Sequence, residues 1–118
     1  MSRNTSKRQM TYTPEETVYV LKFSEPLGNT ANPHGYAKHY TGYSPNVHSR
    51  IEAHRHGCGA SITQAAYRNG IRIEVVALFE GGRDLERKIK NRKNIGKLLD
   101  MFRAGKQTAG IPAPYFLA

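Results

Sequence analysis

Tyrosine, arginine and histidine side chains crowd residues 39–57, HYTGYSPNVHSRIEAHRHG. Asn46, Arg50 and His54 are spaced by four, so on a helix they share one face, beside the end of a strand that carries Tyr40. A guanidinium matches phosphate oxygens with its planar fork, and an imidazole or a phenolate can take a proton from water. The spacing therefore indicates phosphodiester chemistry. A solvated helix face with Tyr40 packed on its body is an equally open interpretation.

A second group of candidates lies in residues 81–102, GGRDLERKIKNRKNIGKLLDMF, where Lys and Arg far outnumber the acids. Glu86 and Lys90 are four residues apart, which is the spacing of an ordinary surface ion pair. A carboxylate within a basic, phosphate-seeking helix could instead hold a divalent cation, because hard cations prefer oxygen ligands. The pattern alone favours the surface pair.

Two further patterns resemble known sites without completing them. His54, His56 and Cys58 have the spacing of metal ligands, but they span a predicted helix end and lack a fourth partner nearby, so a structural zinc site is not predicted. The pair Gly81 and Gly82 does not belong to a phosphate-binding loop of the G-x-x-x-x-G-K-[ST] kind. Neither a zinc site nor a nucleotide site follows from these residues.

Composition indicates the class of partner. The 118 residues carry 18 Lys and Arg against nine Asp and Glu, a formal net charge of +9. Such an excess is typical of proteins that bind polyanions, so nucleic acid is the leading partner class; a ribosome-associated or merely basic protein is the alternative. The single cysteine excludes an internal disulfide and indicates a cytoplasmic protein. No apolar run approaches a membrane span, and no signal peptide is predicted, so no membrane partner is expected.

Periodicity and turn residues predict the elements that position these side chains. Ser44 followed by Pro45 predicts a helix start, and Gly96 weakens the last helix enough that it could form two pieces. The order β-β-α-α-β-α predicts an α+β domain with a small three-stranded, mainly antiparallel sheet flanked by helices. Strands are predicted at residues 17–23, 36–43 and 71–80, and helices at 44–55, 60–70 and 81–102.

The predicted domain boundaries follow composition. Residues 1–13 are expected to form a disordered basic arm, residues 14–103 a single domain, and residues 104–118 a C-terminal tail broken by Gly and Pro. The apolar end of the tail either packs onto the domain or meets a second copy or a protein partner, and the sequence leaves both open.

Three segments, TVYVLKF, HYTGYSPNVHSRIEAH and GGRDLERKIKNRKN, resemble the three signature blocks of the GIY-YIG nuclease domain across residues 17–103. Thr17-Val18-Tyr19 stands where the family has GIY, and Tyr40-Thr41-Gly42 stands where it has YIG. Arg50 matches the family's catalytic arginine, His54 matches a histidine that many members carry, and Glu86 matches the metal-binding glutamate.

The resemblance implies a metal-dependent endonuclease that hydrolyses phosphodiester bonds of double-stranded or branched DNA. Glu86 would hold one divalent ion, Mg²⁺ or Mn²⁺, and Arg50 would stabilise charge on the phosphate. Tyr19, Tyr40 and His54 would activate or orient water, and which of them is the general base stays open. The expected contacts with nucleic acid are Lys38, His39, Arg87, Lys90, Lys93, Asn94 and Lys97. The alternative is a non-catalytic nucleic-acid-binding domain that retains the nuclease fold.

The chain departs from the family pattern at three places. The segment between the first two blocks is longer than usual, so residues 24–38 are interpreted as an insertion. Thr17 and Val18 replace the Gly and Ile of GIY. A polar residue after the glutamate is often asparagine in the family, and Asn91 and Asn94 are both candidates for it.

Overall fold

The computed structural model describes residues 16–28 and 36–117, and within them the chain forms four strands and four helices. The predicted basic arm at 1–13 and the centre of the predicted insertion at 29–35 lie outside these residues. The strands are β1 (Thr17–Gly28), β2 (Tyr36–Ser44), β3 (Ile73–Glu80) and β4 (Tyr115–Phe116). The helices are α1 (Val47–Arg55), α2 (Ser61–Arg68), α3 (Arg83–Asn91) and α4 (Ile95–Arg103).

The strands make one antiparallel sheet in the order β2-β1-β3-β4. The predicted α+β class is therefore confirmed, and the described sheet has one strand more than predicted. The extra strand comes from the C-terminal tail, where Tyr115 pairs with Leu78 and Phe116 with Ala77. Ile111 is buried in the same core as the sheet, which explains why the apolar end of the tail packs onto the domain.

Side chains of β1 alternate between two faces of the sheet, as they must in an extended strand. Val18 and Val20 face α3 and α4, where they join Leu85, Ile89, Leu98 and Leu99 in one core. Tyr19 and Leu21 face α1 and contact Ile51. Because successive residues of β1 serve opposite layers, the position of Tyr19 beneath α1 is fixed by the burial of its neighbours.

The hairpin of β1 and β2 extends further than predicted. The first strand is predicted to end at residue 23, yet β1 continues to Gly28, whereas β2 begins at Tyr36 as predicted. Leu27 is buried and pairs with Ala37, and the register shifts between Lys22 and Leu27. Burial of Leu27 keeps both strands extended despite Pro26.

Two predicted helix ends need correction. Ser44 ends β2 and does not cap α1. Its hydroxyl accepts a hydrogen bond from the N–H of Asn46 at 2.9 Å. The cap of α1 is Asn46, whose side chain accepts a hydrogen bond from the N–H of Ser49. The predicted last helix is two helices, but the break lies at Lys93, whose φ is +62°, and not at Gly96. None of the helices in the described residues has the length and apolarity to cross a membrane.

Candidate active site

The Tyr19 hydroxyl lies at the centre of the candidate site. It is joined to Nε2 of His54 by a hydrogen bond of 2.7 Å, and both side chains are almost completely buried between β1 and α1. The space for the phenol comes from its cross-strand partner Gly42, because a methyl group there would come within 2.5 Å of the Tyr19 oxygen. The glycine of the Tyr40-Thr41-Gly42 segment is thus required by packing against Tyr19.

A chain of hydrogen bonds fixes the tautomer of His54. The Thr63 hydroxyl on α2 donates its single proton to the carbonyl of Ala60 at 2.8 Å, so it accepts from Nδ1 of His54, also at 2.8 Å. Neutral His54 therefore carries its proton on Nδ1 and presents Nε2 as an acceptor. It follows that Tyr19 donates to His54, which is the direction a base-assisted phenol needs.

Burial sets the charge states of this pair. Removal from water raises the pKa of Tyr19 to about 12. The guanidinium of Arg50 acts in the opposite direction and lowers this pKa. Burial also lowers the pKa of His54, and the nearby charge of Arg50 lowers it further. Near neutral pH, Tyr19 holds its proton and His54 is uncharged, so the imidazole can accept a proton.

Tyr40 and Arg50 lie around the pair. The Tyr40 ring centroid is 5.2 Å from that of His54 in an edge-on arrangement and 6.3 Å from that of Tyr19. Arg50 is exposed on α1, one turn before His54, and acts on the pKa of both Tyr19 and His54. A cation between a buried phenol and solvent is placed to meet an incoming phosphate.

Glu86 reaches the site from the opposite layer of the fold. Its side chain is 17% exposed and its Oε2 atom is 3.2 Å from Nζ of Lys90, the i+4 pair that the sequence pattern favours. Its negative charge nevertheless raises the pKa of both Tyr19 and Tyr43. Glu86 therefore forms the surface ion pair and also lies within electrostatic reach of the Tyr19 hydroxyl.

The donor set suits a lightly held divalent cation. Among residues 16–28 and 36–117, no group of three or more His, Cys, Asp or Glu side chains could hold a metal ion. Mg²⁺ commonly binds through one or two carboxylates and otherwise keeps water or substrate phosphate as ligands. A single carboxylate at Glu86 fits that mode of binding and does not fit a caged zinc site.

A second set of contacts positions Glu86. The Tyr43 hydroxyl donates to Oε2 of Glu16 at 3.0 Å. The Glu16 carboxylate also lies against Gly82 at the start of α3, so closely that a methyl group added at Gly82 would come within 2.5 Å of Oε2 of Glu16. The Arg83 guanidinium lies over the Tyr43 ring, 4.9 Å from its centroid. These contacts attach the first turn of α3 to β2, one turn before Glu86.

A basic groove of about 260 Å³ adjoins Tyr40 between β2 and the turn from α3 to α4. Four of the seven residues predicted to bind nucleic acid line it, namely His39, Lys90, Lys93 and Asn94. Burial and the charges of Lys22, Lys38 and Arg103 lower the pKa of His39. The other three predicted residues, Lys38, Arg87 and Lys97, are exposed outside the groove.

Several residues of the site have roles that spacing did not reveal. Thr63 follows His54 by nine residues, on a separate helix, and no pattern of the sequence indicates their hydrogen bond. A methyl group at Gly59 would overlap the His54 imidazole, so this glycine is also required by packing. Asn94 caps α4 by accepting from the N–H of Lys97 at 3.0 Å, whereas Asn91 is exposed at the end of α3.

The residues of the incomplete metal pattern point in different directions. His54 is held by Tyr19 and Thr63, Nδ1 of His56 bonds to the carbonyl of Glu52 at 3.0 Å, and Cys58 is exposed.

Comparison of the chain with protein-family models, with curated proteins and with solved structures returned no match.

Proposed function

We propose that this protein is a metal-dependent endonuclease that hydrolyses DNA phosphodiester bonds, with a site that resembles that of the GIY-YIG nucleases. The observation that carries the proposal is the hydrogen bond from Tyr19 to an uncharged His54, with Arg50 and Glu86 acting electrostatically on the same hydroxyl. These side chains come from a strand and two helices, and each of them acts on the Tyr19 hydroxyl, His54 by a hydrogen bond and Arg50 and Glu86 through their charge. A purely structural tyrosine would not need that arrangement.

The first step assigned to the protein's own residues is proton transfer. As water attacks phosphorus, it would pass a proton to the Tyr19 oxygen while Tyr19 passes its own to Nε2 of His54. The bond between phosphorus and the leaving sugar oxygen would break in the same step, and that oxygen would take a proton from solvent. The transfer opposes the resting pKa values, which are high for Tyr19 and low for His54. A phosphate brought beside the pair would raise the pKa of His54 and so help it to accept the proton, because a nearby negative charge favours the imidazolium.

Arg50 would bind the non-bridging oxygens of the phosphate and stabilise the charge that develops on them. Because Arg50 acts on the Tyr19 hydroxyl in the absence of substrate and lowers its pKa, engaging the phosphate would free the phenol to receive water. Tyr40 packs edge-on against His54 and would hold the imidazole in place.

Glu86 would hold one Mg²⁺ or Mn²⁺ ion, which when bound would neutralise negative charge on the phosphate. In the absence of an ion, Lys90 satisfies the carboxylate at 3.2 Å. The contacts of Glu16 and Tyr43 with the start of α3 would keep the carboxylate at a constant position relative to Tyr19.

The proposed partner is double-stranded or branched DNA, held by the basic groove beside Tyr40. The exposed side chains of Phe116 on the outer strand β4 and of Leu117 just after it support a contact with a second copy or a protein partner. A cytoplasmic location is proposed because the chain has a single cysteine and needs no disulfide.

The test is nicking of supercoiled plasmid in Mg²⁺, in Mn²⁺ and in EDTA. Glu86→Gln and Arg50→Ala should each lower the rate about 10²–10³-fold, the usual cost of losing a transition-state contact. Asp100→Asn is the control for Glu86, because Asp100 is also a helix carboxylate paired with a basic residue one turn later, Arg103 at 3.4 Å. Arg68→Ala, on the exposed side of α2, is the control for Arg50.

The second candidate function is a nucleic-acid-binding domain without turnover. The pairing of Glu86 with Lys90 and the nearly complete burial of Tyr19 favour it, because both groups are satisfied without substrate. Tight DNA binding with no metal-dependent nicking would establish this function and remove the nuclease. Nicking that survives Glu86→Gln would point instead to a contaminating enzyme.

A further inference from the structure

A cationic pocket of about 470 Å³ lies beyond the candidate active site, at the end of the sheet where β1 meets the start of β3. Its charged lining residues are Lys22 on β1, Arg55 on α1, Arg72 before β3 and Glu74 on β3. Phe23 and Ile73 form its apolar wall. The pocket is separate from the groove beside Tyr40 and contains none of the residues assigned to catalysis.

The charges of this pocket favour an anion. Cations outnumber the carboxylate three to one, and within the described part of the chain neither Lys22 nor Arg72 has a carboxylate within 4 Å. Arg55 pairs with Glu52 at 3.3 Å, but both side chains are exposed and water screens such a pair, so Arg55 can engage a ligand. A group with several acceptor oxygens, such as a phosphate, suits this combination.

The location of the pocket relates it to the active site. Lys22 follows Tyr19 by three residues of extended strand, or about 10 Å. Arg55 follows Arg50 by five residues of helix, or about 7.5 Å. Since Arg50 and Arg55 are both exposed and α1 leads from one to the other, a strand of DNA passing over the exposed side of α1 would meet both sites. Each nucleotide of a strand advances about 3.4 Å along the duplex axis, so the two sites are about two to three nucleotides apart.

We propose that this pocket binds a backbone phosphate of the strand that is cut, two or three nucleotides from the scissile phosphate. The proposal rests on the proposed nuclease function of the Tyr19 site. The pocket would hold the strand in register, so that the phosphate at Arg50 stays in place while Tyr19 and His54 act. Substrates too short to reach the pocket would bind poorly.

Binding is measured first, in a Glu86→Gln background so that cleavage plays no part. Fluorescence anisotropy with a labelled duplex compares Lys22→Ala/Arg72→Ala with Arg68→Ala/Lys106→Ala, a control that removes the same charge from exposed positions outside the pocket. The pocket variant should weaken binding about tenfold, and the slope of log K against log salt should fall by about one. Equal weakening in both double variants would overturn the proposal.

Position is tested next with substrates that carry one neutral methylphosphonate. In the parent protein, replacing the phosphate two or three nucleotides from the cut by a methylphosphonate should slow single-turnover cleavage. In the Lys22→Ala/Arg72→Ala variant, the same replacement should have no further effect on the cleavage rate. A penalty that persists unchanged in the variant would overturn the proposal. If no DNA is cut but the pocket variant alone loses affinity and salt slope, the nuclease function fails while the phosphate contact stands.

Inorganic phosphate serves as the probe for a different source of the same chemistry. Nuclear magnetic resonance shifts at Lys22 and Arg72 should appear with duplex DNA at concentrations where phosphate alone gives none. If phosphate alone shifts these residues and DNA does not, the pocket holds a small free phosphate and the backbone contact is ruled out.

Discussion

The two layers around the sheet supply different kinds of polar group to the same site. On the side of α1 and α2, Tyr19, His54 and Thr63 form a buried chain of hydrogen bonds shielded from water. On the side of α3, Glu86 lies near the surface, in a pair with the exposed Lys90. The buried chain must be complete for the protein to fold well, because an unsatisfied buried group is costly. The surface pair can be exchanged for a ligand at little cost.

The largest expected effect comes from filling the space against His54. Gly59→Ala should cost about 1–3 kcal/mol, as overpacking of a tight core does, because the added methyl group overlaps the imidazole. Gly96→Ala is the matched control: its methyl group would lie 3.7 Å from the nearest atom, within α4. Removing a helical glycine there should stabilise by about 0.5–1 kcal/mol. Urea unfolding measures both, and an equal response from the two variants would contradict the packing argument.

Breaking the far end of the hydrogen-bond chain should have the next largest effect. Thr63→Val keeps the shape but leaves Nδ1 of His54 without an acceptor, which should cost about 1–3 kcal/mol. It also frees the imidazole to adopt the other tautomer, which would turn Nε2 into a donor facing Tyr19, so DNA cleavage should slow as well. Thr63→Ser restores the hydroxyl and should recover both stability and rate. Failure of Ser to rescue the rate would remove Thr63 from the relay.

Stability should depend on pH through His54. Its pKa in the folded protein is lowered by burial and by the charge of Arg50. At pH values between this lowered pKa and the ordinary pKa of about 6.5, the unfolded chain therefore binds more protons than the folded protein does. The contribution of His54 is therefore fully present above about pH 6.5 and is lost as pH falls through this window. The lowered pKa of His39 acts in the same direction. Denaturant midpoints should fall on acidification, and His54→Gln and His39→Gln should each flatten that slope.

The smallest effect is expected at the surface pair. Lys90→Ala should change the free energy of unfolding by less than about 0.5 kcal/mol, because the Lys90 side chain is itself exposed and water screens its charge. It should nevertheless lower the Mg²⁺ concentration needed for half-maximal cleavage, because Glu86 loses a competing cation. Arg103→Ala, which breaks the more exposed pair with Asp100, is the control and should leave the metal dependence unchanged. A large loss of stability in Lys90→Ala would mean that the two layers do not differ as described.

Local patterns predicted the elements of the fold well. The alternating strand at Tyr19, the helical row of Arg50 and His54 and the basic segment around Glu86 are encoded over short stretches, and the α+β class follows from their order. The misplaced ends have local causes that compete with the pattern: Asn46 rather than Ser44 caps α1, and Lys93 adopts the left-handed conformation that separates α3 from α4.

The parts of the site that sequence could not predict depend on contacts between distant residues. The bond of His54 with Thr63 joins two helices whose relative placement no spacing encodes. The packing of Gly42 against Tyr19 and of Gly59 against His54 needs coordinates, because a glycine in sequence does not reveal what fills its missing side chain. The strand pairing of Tyr115 and Phe116 likewise depends on an open edge at β3.

The central claim is that the Tyr19 hydroxyl serves the chemistry, and single-turnover cleavage of labelled duplex DNA by Tyr19→Phe tests it most directly. Tyr67→Phe, which removes a hydroxyl from an exposed tyrosine on α2, is the control. We expect Tyr19→Phe to bind DNA as the parent does and to cut it about 10²–10⁴-fold more slowly, the range for a lost proton-transfer group, with Tyr67→Phe unchanged. Cleavage by Tyr19→Phe at the parent rate would contradict the account.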